Sequence, residues 1–218
     1  MSGLTGLRRF AVPSRTARAG AGDGPNGAAT DERCEMCGER VLERHAHLAD
    51  TAQRSIGCAC TACALLFTRP GGRYQTVPDR VRHDLETSLT EAEWAELAVP
   101  VGIAFFFINS ALGRVVAGYP SPAGVTECEL DLAAWDRLAA AHPLLSALTP
   151  DVEAILVVRG QPYTPDSRSA HVYLIPVDTC YSLAGALRLN WHGFDGGTEV
   201  RQILDDLLTD LRKRARQI

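Results

Sequence analysis

Five of the seven cysteines are crowded into one stretch of the chain, and their spacing constrains the fold more than any other feature. They are Cys34, Cys37, Cys58, Cys60 and Cys63. An extracellular disulfide framework spreads an even number of cysteines along a short chain, so it does not suit this pattern. Close cysteine pairs are typical of metal ligands in a reducing compartment, and we therefore expect a cytoplasmic protein.

Two of the pairs have the C-x-x-C spacing of a metal knuckle: Cys34 with Cys37, and Cys60 with Cys63. In a knuckle a tight turn places both thiolates, and Gly38 suits the strained backbone position that follows the first pair. Two knuckles on adjoining hairpins bring four sulfurs into the tetrahedron that zinc prefers. We therefore predict a zinc ion, held by these four cysteines, that acts as a folding staple; iron is the alternative, because thiolates hold either metal.

Cys58 is surplus to this set and lies in a predicted strand, near two histidines of another predicted strand, His45 and His47. Alternate residues of a strand share a face, so the two histidines lie together and Cys58 lies with Cys60. These three residues are candidates for additional metal ligands or for side chains that contact the zinc ligands. In the alternative interpretation, the two histidines are ordinary half-buried polar residues. Two rival sites stay open. One combines the first knuckle with His47 and a later cysteine, and the other is a dinuclear site with all five cysteines and a histidine.

The composition divides the chain into three parts. Residues 1–32 are rich in small and polar residues and are predicted to form a disordered tail. Residues 33–75 hold the cysteines and short strand candidates, which predicts a small zinc-ribbon-like β-hairpin module. Residues 76–218 alternate apolar strand pairs with amphipathic helices, which predicts an α+β domain with a mainly antiparallel sheet and flanking helices.

Three helices of that domain have recognisable N-terminal caps. Thr90 and Glu93 form a capping box at the start of a linker helix, 90–98. Asp131 is placed to cap the next helix, and Thr198 the last one. The last helix also has an apolar stripe at helical spacing, so we expect it to pack against the sheet.

The net charge and the sequence motifs exclude several classes of function. The net charge of −4 gives no reason to expect nucleic acid as a partner, and no apolar run reaches the ~20 residues of a membrane helix. The twin arginines Arg8 and Arg9 lack a following apolar segment, so we expect no export signal. Hydrolase, phosphate-loop and dinucleotide signatures are missing, and four thiolates leave a metal no open position. We expect a non-catalytic protein.

Two segments carry aromatic, glycine and proline residues in a combination that packing alone does not explain: YPSPAG, which begins at Tyr119, and NWHGFDGG. We predict that they form a surface for a protein partner. The residues of the second segment that would contribute are Trp191, His192, Phe194 and Asp195. In the alternative interpretation, the two aromatic residues of NWHGFDGG seal the edge of the core and the glycines make the turn.

The ordered motifs CEMCG, HAHLAD, CACTACALLF, GGRYQTVPDRV, PVGIAFFF, YPSPAG, EAILVV, YLIPVDTCYSL and WHGFDGG resemble a protein family of high-GC bacteria that is uncharacterised. The genes of that family lie beside those for nickel–iron hydrogenase subunits and a maturation protease. The resemblance covers about residues 33–212 and implies a hydrogenase-linked accessory role, without site residues to transfer.

Three functions fit these observations. The first is an accessory or assembly factor in nickel–iron hydrogenase biogenesis, with a structural four-cysteine zinc site and a hydrogenase subunit or maturation factor as partner. The second is a rubredoxin-like iron protein for electron transfer, which Ala64 disfavours because such knuckles usually end in glycine. The third is a zinc-ribbon regulator that binds nucleic acid, which acidic residues among the arginines and few aromatic residues disfavour.

Overall fold

The structure is a computed structural model that describes residues 32–69, 71–84, 89–159, 170–193 and 196–217. The chain divides into two compact units, Met1–Val77 and Pro78–Ile218. The predicted tail lies outside the described residues except for Glu32.

The first unit contains a small antiparallel sheet and a short helix that lies between its second and third strands in the chain. Strand β1 (Ala46–Asp50) lies between β2 (Ser55–Ala59) and β3 (Tyr74–Thr76), and helix α1 spans Thr61–Phe67. The β1–β2 turn is held by Asp50, whose carboxylate accepts the backbone N–H groups of two turn residues at 3.0 Å. Arg73 also donates to this carboxylate, at 2.6 Å, and thereby lowers the pKa of Asp50.

The second unit contains, among the described residues, a seven-stranded sheet in the order β10-β4-β9-β8-β5-β6-β7. All neighbours are antiparallel except the β10–β4 pair. Its strands are β4 (Arg82–Asp84), β5 (Ile103–Asn109), β6 (Arg114–Ser121), β7 (Gly124–Cys128), β8 (Glu153–Arg159), β9 (Ala170–Pro176) and β10 (Arg216–Gln217). Its helices are α2 (Glu91–Glu96), α3 (Leu132–Ala141), α4 (Pro143–Ser146), α5 (Val177–Asn190) and α6 (Gly197–Arg214). The predicted α+β class with a mainly antiparallel sheet and flanking helices is confirmed.

Both faces of the large sheet are buried, which explains its long apolar strands. Along β8, Ile155 and Val157 pack in one core cluster while Leu156 packs in the other, as the two-residue period of a strand requires. Side chains of α2, α3 and α4 complete the first cluster, and side chains of α5 and α6 complete the second. The unit is therefore a sheet between two layers of helices.

One local prediction about this unit is wrong. The last helix is capped by Gly196 rather than by Thr198. The backbone of Gly196 has φ +85°, and a Cβ there would lie 2.9 Å from the side chain of Val200, so only glycine fits. YPSPAG is mostly strand: it forms the end of β6 and a tight turn into β7 at Gly124.

The capping box of α2 gives the first testable prediction. The Thr90 hydroxyl accepts the backbone N–H of Glu93 at 3.3 Å, and a Glu93 carboxylate oxygen accepts the N–H of Thr90 at 2.8 Å. Thr90→Ala removes one half of this exchange and should cost about 1 kcal/mol of unfolding free energy. Thr209→Ala, on the exposed face of α6, is the matched control and should change little. Equal urea midpoints for the two variants would contradict the prediction.

Candidate metal centre

The structure brings Cys34, Cys37, Cys60 and Cys63 together in the first unit. Their Sγ atoms all lie within 4.8 Å of one another, and those of Cys37 and Cys60 are 3.8 Å apart. A tetrahedral metal with metal–sulfur bonds of about 2.3 Å holds its sulfurs about 3.8 Å apart. The cluster could therefore hold a metal ion with small side-chain adjustments.

The first cysteine pair lies in a tight turn. The N–H of Gly38 donates to the carbonyl of Cys34 at 2.8 Å, and the N–H of Cys34 donates to the carbonyl of Glu39 at 2.8 Å. Gly38 has φ +77°, a conformation that side chains disfavour, so the glycine after the second cysteine is explained by the backbone.

The second pair does not lie on a hairpin, which corrects the prediction. Cys60 is the N-cap of α1, and its Sγ accepts the backbone N–H of Cys63 at 3.4 Å. The residues after Cys60 are mostly good helix formers such as alanine and leucine, and they contain no turn signal. The i, i+3 spacing of an N-cap and its third helical residue brings the two sulfurs to the same end of the helix.

The four thiols do not ionise equally. Burial alone would raise the pKa of Cys34, but backbone hydrogen bonds from Cys60, Cys37 and Met36 outweigh it and lower this pKa to about 6. Burial and hydrogen bonds with the other three thiols raise the pKa of Cys63 to about 12. One thiolate is thus well stabilised, and further thiolates beside it need a positive charge, which a bound cation would supply.

Cys58 belongs to a different group of side chains. It lies opposite His47 in the β1–β2 ladder, and ligand atoms of Cys58, His47 and His45 all lie within 4.8 Å of one another. Cys60 lies directly after β2, which ends at Ala59, and is the N-cap of α1 with an extended backbone. Burial and the carboxylates of two nearby glutamates raise the pKa of Cys58 to about 11.

Comparison with known proteins adds the family. A model described as a family of unknown function (DUF5947) matches residues 33–215. The chain belongs to the DUF5947 family. The match spans both units, including every cysteine. No curated protein and no solved structure matches the chain.

The predicted partner surface of this DUF5947 protein is only partly described. Tyr119 is half-buried in β6, opposite Thr126 of β7. Trp191 is half-buried against the second core cluster, and its indole N–H donates to the carbonyl of Gly193 at 3.1 Å, as in the alternative in which it seals the core edge. His192 is exposed, and Phe194 and Asp195 lie outside the described residues.

An aromatic and histidine cluster in the large sheet was not predicted from the sequence. His83 of β4 lies opposite Tyr173 of β9, with the two rings stacked at 4.4 Å, and the His171 ring lies 5.5 Å from His83. Burial lowers the pKa of both histidines, which favours their neutral forms. The two-residue spacing of His171 and Tyr173 was the available sequence signal; their partner strand was not evident.

The end of α1 exposes an apolar segment. Leu65 and Leu66 are 76% and 77% exposed, and the neighbouring Phe67 is 46% exposed. We call Leu65–Leu66–Phe67 the apolar end of α1. Three consecutive large apolar side chains at the surface are typical of a contact site rather than of a solvated helix. Across the described residues, no helix is both long enough and apolar enough to cross a membrane.

Proposed function

We propose that this DUF5947 protein is a non-catalytic accessory or assembly factor that acts through protein–protein contact. The observation that carries this proposal is the exposed apolar end of α1, which directly follows the cysteines at the start of the same helix. A metal bound by Cys60 and Cys63 would fix the first turn of α1 and so orient Leu65, Leu66 and Phe67 for a partner. The metal would then be structural, and the docking surface would depend on it.

Zinc is the metal that we propose for the four cysteines. Four thiolates at tetrahedral spacing match its usual structural sites, and they leave no position for substrate or water. The competing iron protein for electron transfer would resemble rubredoxin, whose second knuckle is a turn that ends in glycine. Here Cys60 and Cys63 open a helix instead, and buried Ala64 follows them, which supports zinc.

The proposed partner is a subunit or maturation factor of a nickel–iron hydrogenase, and the proposed location is the cytoplasm. The ordered motifs that resemble the hydrogenase-linked family support this partner. Cysteines bind zinc only in their reduced form, and the cytoplasm keeps thiols reduced, which supports this location. The rival proposal of a nucleic-acid regulator is less favoured, because acidic residues offset most of the basic charge of the first unit and the exposed apolar end of α1 suits a protein partner.

A binding experiment tests the role of the apolar end of α1. Purified hydrogenase subunits and maturation factors would be titrated against the full chain, loaded with zinc, by calorimetry. A double variant, Leu65→Asp with Leu66→Asp, should bind its partner at least about tenfold more weakly, because burial of one leucine contributes about 1.5–3 kcal/mol.

The matched control is Leu189→Asp, because Leu189 of α5 is 82% exposed and lies in the other unit. It should bind as the wild type does. Equal affinities for the control and the double variant would place the contact elsewhere. Failure of the wild type to bind any of these proteins would overturn the proposed function.

A further inference from the structure

We propose that His45, His47 and Cys58 form a second metal site, for a divalent transition-metal ion, with a ligand set distinct from the four-cysteine cluster. The proposal stands on the geometry of these three side chains and does not depend on the function proposed above.

The β1–β2 hairpin places the three groups together. His45 and His47 are two residues apart and point to the same side, as alternate residues along an extended chain do. Cys58 lies directly opposite His47 in the antiparallel ladder, so its side chain shares that side. The two imidazole rings meet edge to face, with centroids 4.8 Å apart.

The hydrogen bond of His45 leaves its Nε2 atom able to bind a metal. Its Nδ1 lies 2.8 Å from the carbonyl oxygen of Leu42. A carbonyl only accepts hydrogen bonds, so Nδ1 carries the proton and the lone pair lies on Nε2. Histidines that bind metals commonly donate their other N–H to a backbone carbonyl in this way.

The Nε2 atom of His45 is buried and, within the part of the chain that the structure describes, lacks a hydrogen-bond partner. The His45 side chain is 7% exposed, and among the described residues its buried Nε2 has no hydrogen-bond partner. A buried acceptor without a partner is costly, and a metal ion at this point would satisfy it.

The charge around the site favours a cation. A carboxylate oxygen of Glu32 lies 3.9 Å from His45 Nε2. The Glu35 carboxylate accepts the backbone N–H of Cys58 at 3.3 Å. Two carboxylates beside the three ligands therefore add negative charge.

The donor set selects the class of ion. Two imidazoles and one thiolate suit borderline ions such as Zn²⁺ or Co²⁺ and do not suit Ca²⁺ or Mg²⁺, which prefer oxygen ligands. Three protein ligands leave a coordination position open, whereas the four-cysteine cluster leaves none. We therefore expect the ion in this second site to be the more readily exchanged of the two.

Anaerobic titration of the reduced full chain with Co²⁺ tests the proposal, because thiolate-to-cobalt absorption reports how many sulfurs bind each ion. Wild-type protein should take up two equivalents, one with strong four-thiolate bands and one with weaker single-thiolate absorption. His47→Ala and Cys58→Ser should each lose the second equivalent and keep the four-thiolate bands, which also show that the first unit has folded.

The controls are His192→Ala and Cys128→Ser, which alter an exposed histidine and a half-buried thiol of the other unit and should keep both equivalents. If His47→Ala and Cys58→Ser each lose both Co²⁺ equivalents, the proposal is tested by His45→Gln, which retains a donor for the Leu42 carbonyl. This variant should lose the second equivalent and keep the first. Saturation of the wild type at one equivalent overturns the proposal. Survival of the second equivalent in His45→Gln or in both other variants also overturns it.

Discussion

Removal of bound metal from the full chain should unfold residues 33–77 while residues 78–217 stay folded. Among the described residues, the buried members of the core cluster of the first unit are Leu48, Ala59 and Ala64 besides two of the cysteines, Cys34 and Cys63, and four half-buried residues pack against them. Such a core does not offset the conformational entropy of ordering the segment. Structural zinc typically contributes about 10–16 kcal/mol of binding free energy, which is folding free energy when the apo segment is unfolded.

Limited trypsin digestion with and without a strong chelator, followed by mass spectrometry, measures this effect. Several arginines of the first unit provide cleavage sites, including Arg40, Arg44, Arg54, Arg69 and Arg73. We expect chelation to speed cleavage at these sites by more than about tenfold, since an unfolded segment is cut without an opening step. A fragment that begins near Pro78 should persist, and added zinc should restore protection.

Two single substitutions separate the role of the metal from that of the chelator. Cys60→Ser should give the rapid cleavage pattern even with zinc present, because the four-thiolate set is broken. Cys58→Ser is the matched control two residues away, and it should keep the protected pattern since Cys58 lies outside that cluster. Equal protection of all three proteins, with and without chelator, would show that the first unit folds without metal.

The large sheet was predictable because its signals are local and repeated. Ile155, Leu156 and Val157 read as one apolar strand, and the structure buries both of its faces. The stripe of α6 was equally clear, and Val200, Leu204 and Leu208 are all buried. Such patterns follow from burial alone, whichever neighbours supply it.

Details that depend on backbone conformation or on distant neighbours were not predictable. The cap at Gly196 requires a positive φ and a close approach of Val200, neither of which the sequence displays. The C-x-x-C spacing of Cys60 and Cys63 fits a knuckle turn and a helix start equally well. It therefore predicted that the sulfurs could meet without predicting the local fold.

The second candidate site shows the same division between local and distant information. Strand alternation predicted that His45 and His47 share a side. The tautomer of His45 depends on the carbonyl of Leu42, and the placement of Cys58 opposite His47 depends on the hairpin register. Both are products of folding that spacing does not encode.

Arg80→Ala should reduce the unfolding free energy of the second unit more than Thr90→Ala, Thr209→Ala or Arg137→Ala does. Its partner, Glu153, is fully buried at the start of β8. The guanidinium donates to Glu153 Oε2 at 2.7 Å, and the backbone N–H of Thr149 donates to the same oxygen at 3.1 Å. Without Arg80, the contacts that remain to the buried carboxylate from the described residues come from Thr149.

We expect a loss of about 2 to 3 kcal/mol in the free energy of unfolding at pH 7. Breaking a buried ion pair typically costs more, but Arg80 is 41% exposed, so solvent already screens part of the interaction. Arg137→Ala breaks an exposed pair with Glu96 and is the matched control, which should change stability little. Urea denaturation of the second unit measures both variants, and equal midpoints would contradict the prediction.

The pH dependence of the same pair distinguishes lost charge pairing from lost packing. Burial raises the pKa of Glu153, but hydrogen bonds from Arg80 and Thr149 outweigh it and hold the pKa below its ordinary value of 4.5. The stabilisation is therefore complete above about pH 4.5 and is lost as the pH falls through the lower, folded-state pKa. In Arg80→Ala the buried carboxyl has a raised pKa and is relieved by protonation. The difference in unfolding free energy between wild type and Arg80→Ala should thus begin to shrink above about pH 4.5, as the pH falls through the raised pKa of the variant, and should shrink further below about pH 4.5 as the wild type loses its ion pair. A packing defect would leave the difference constant.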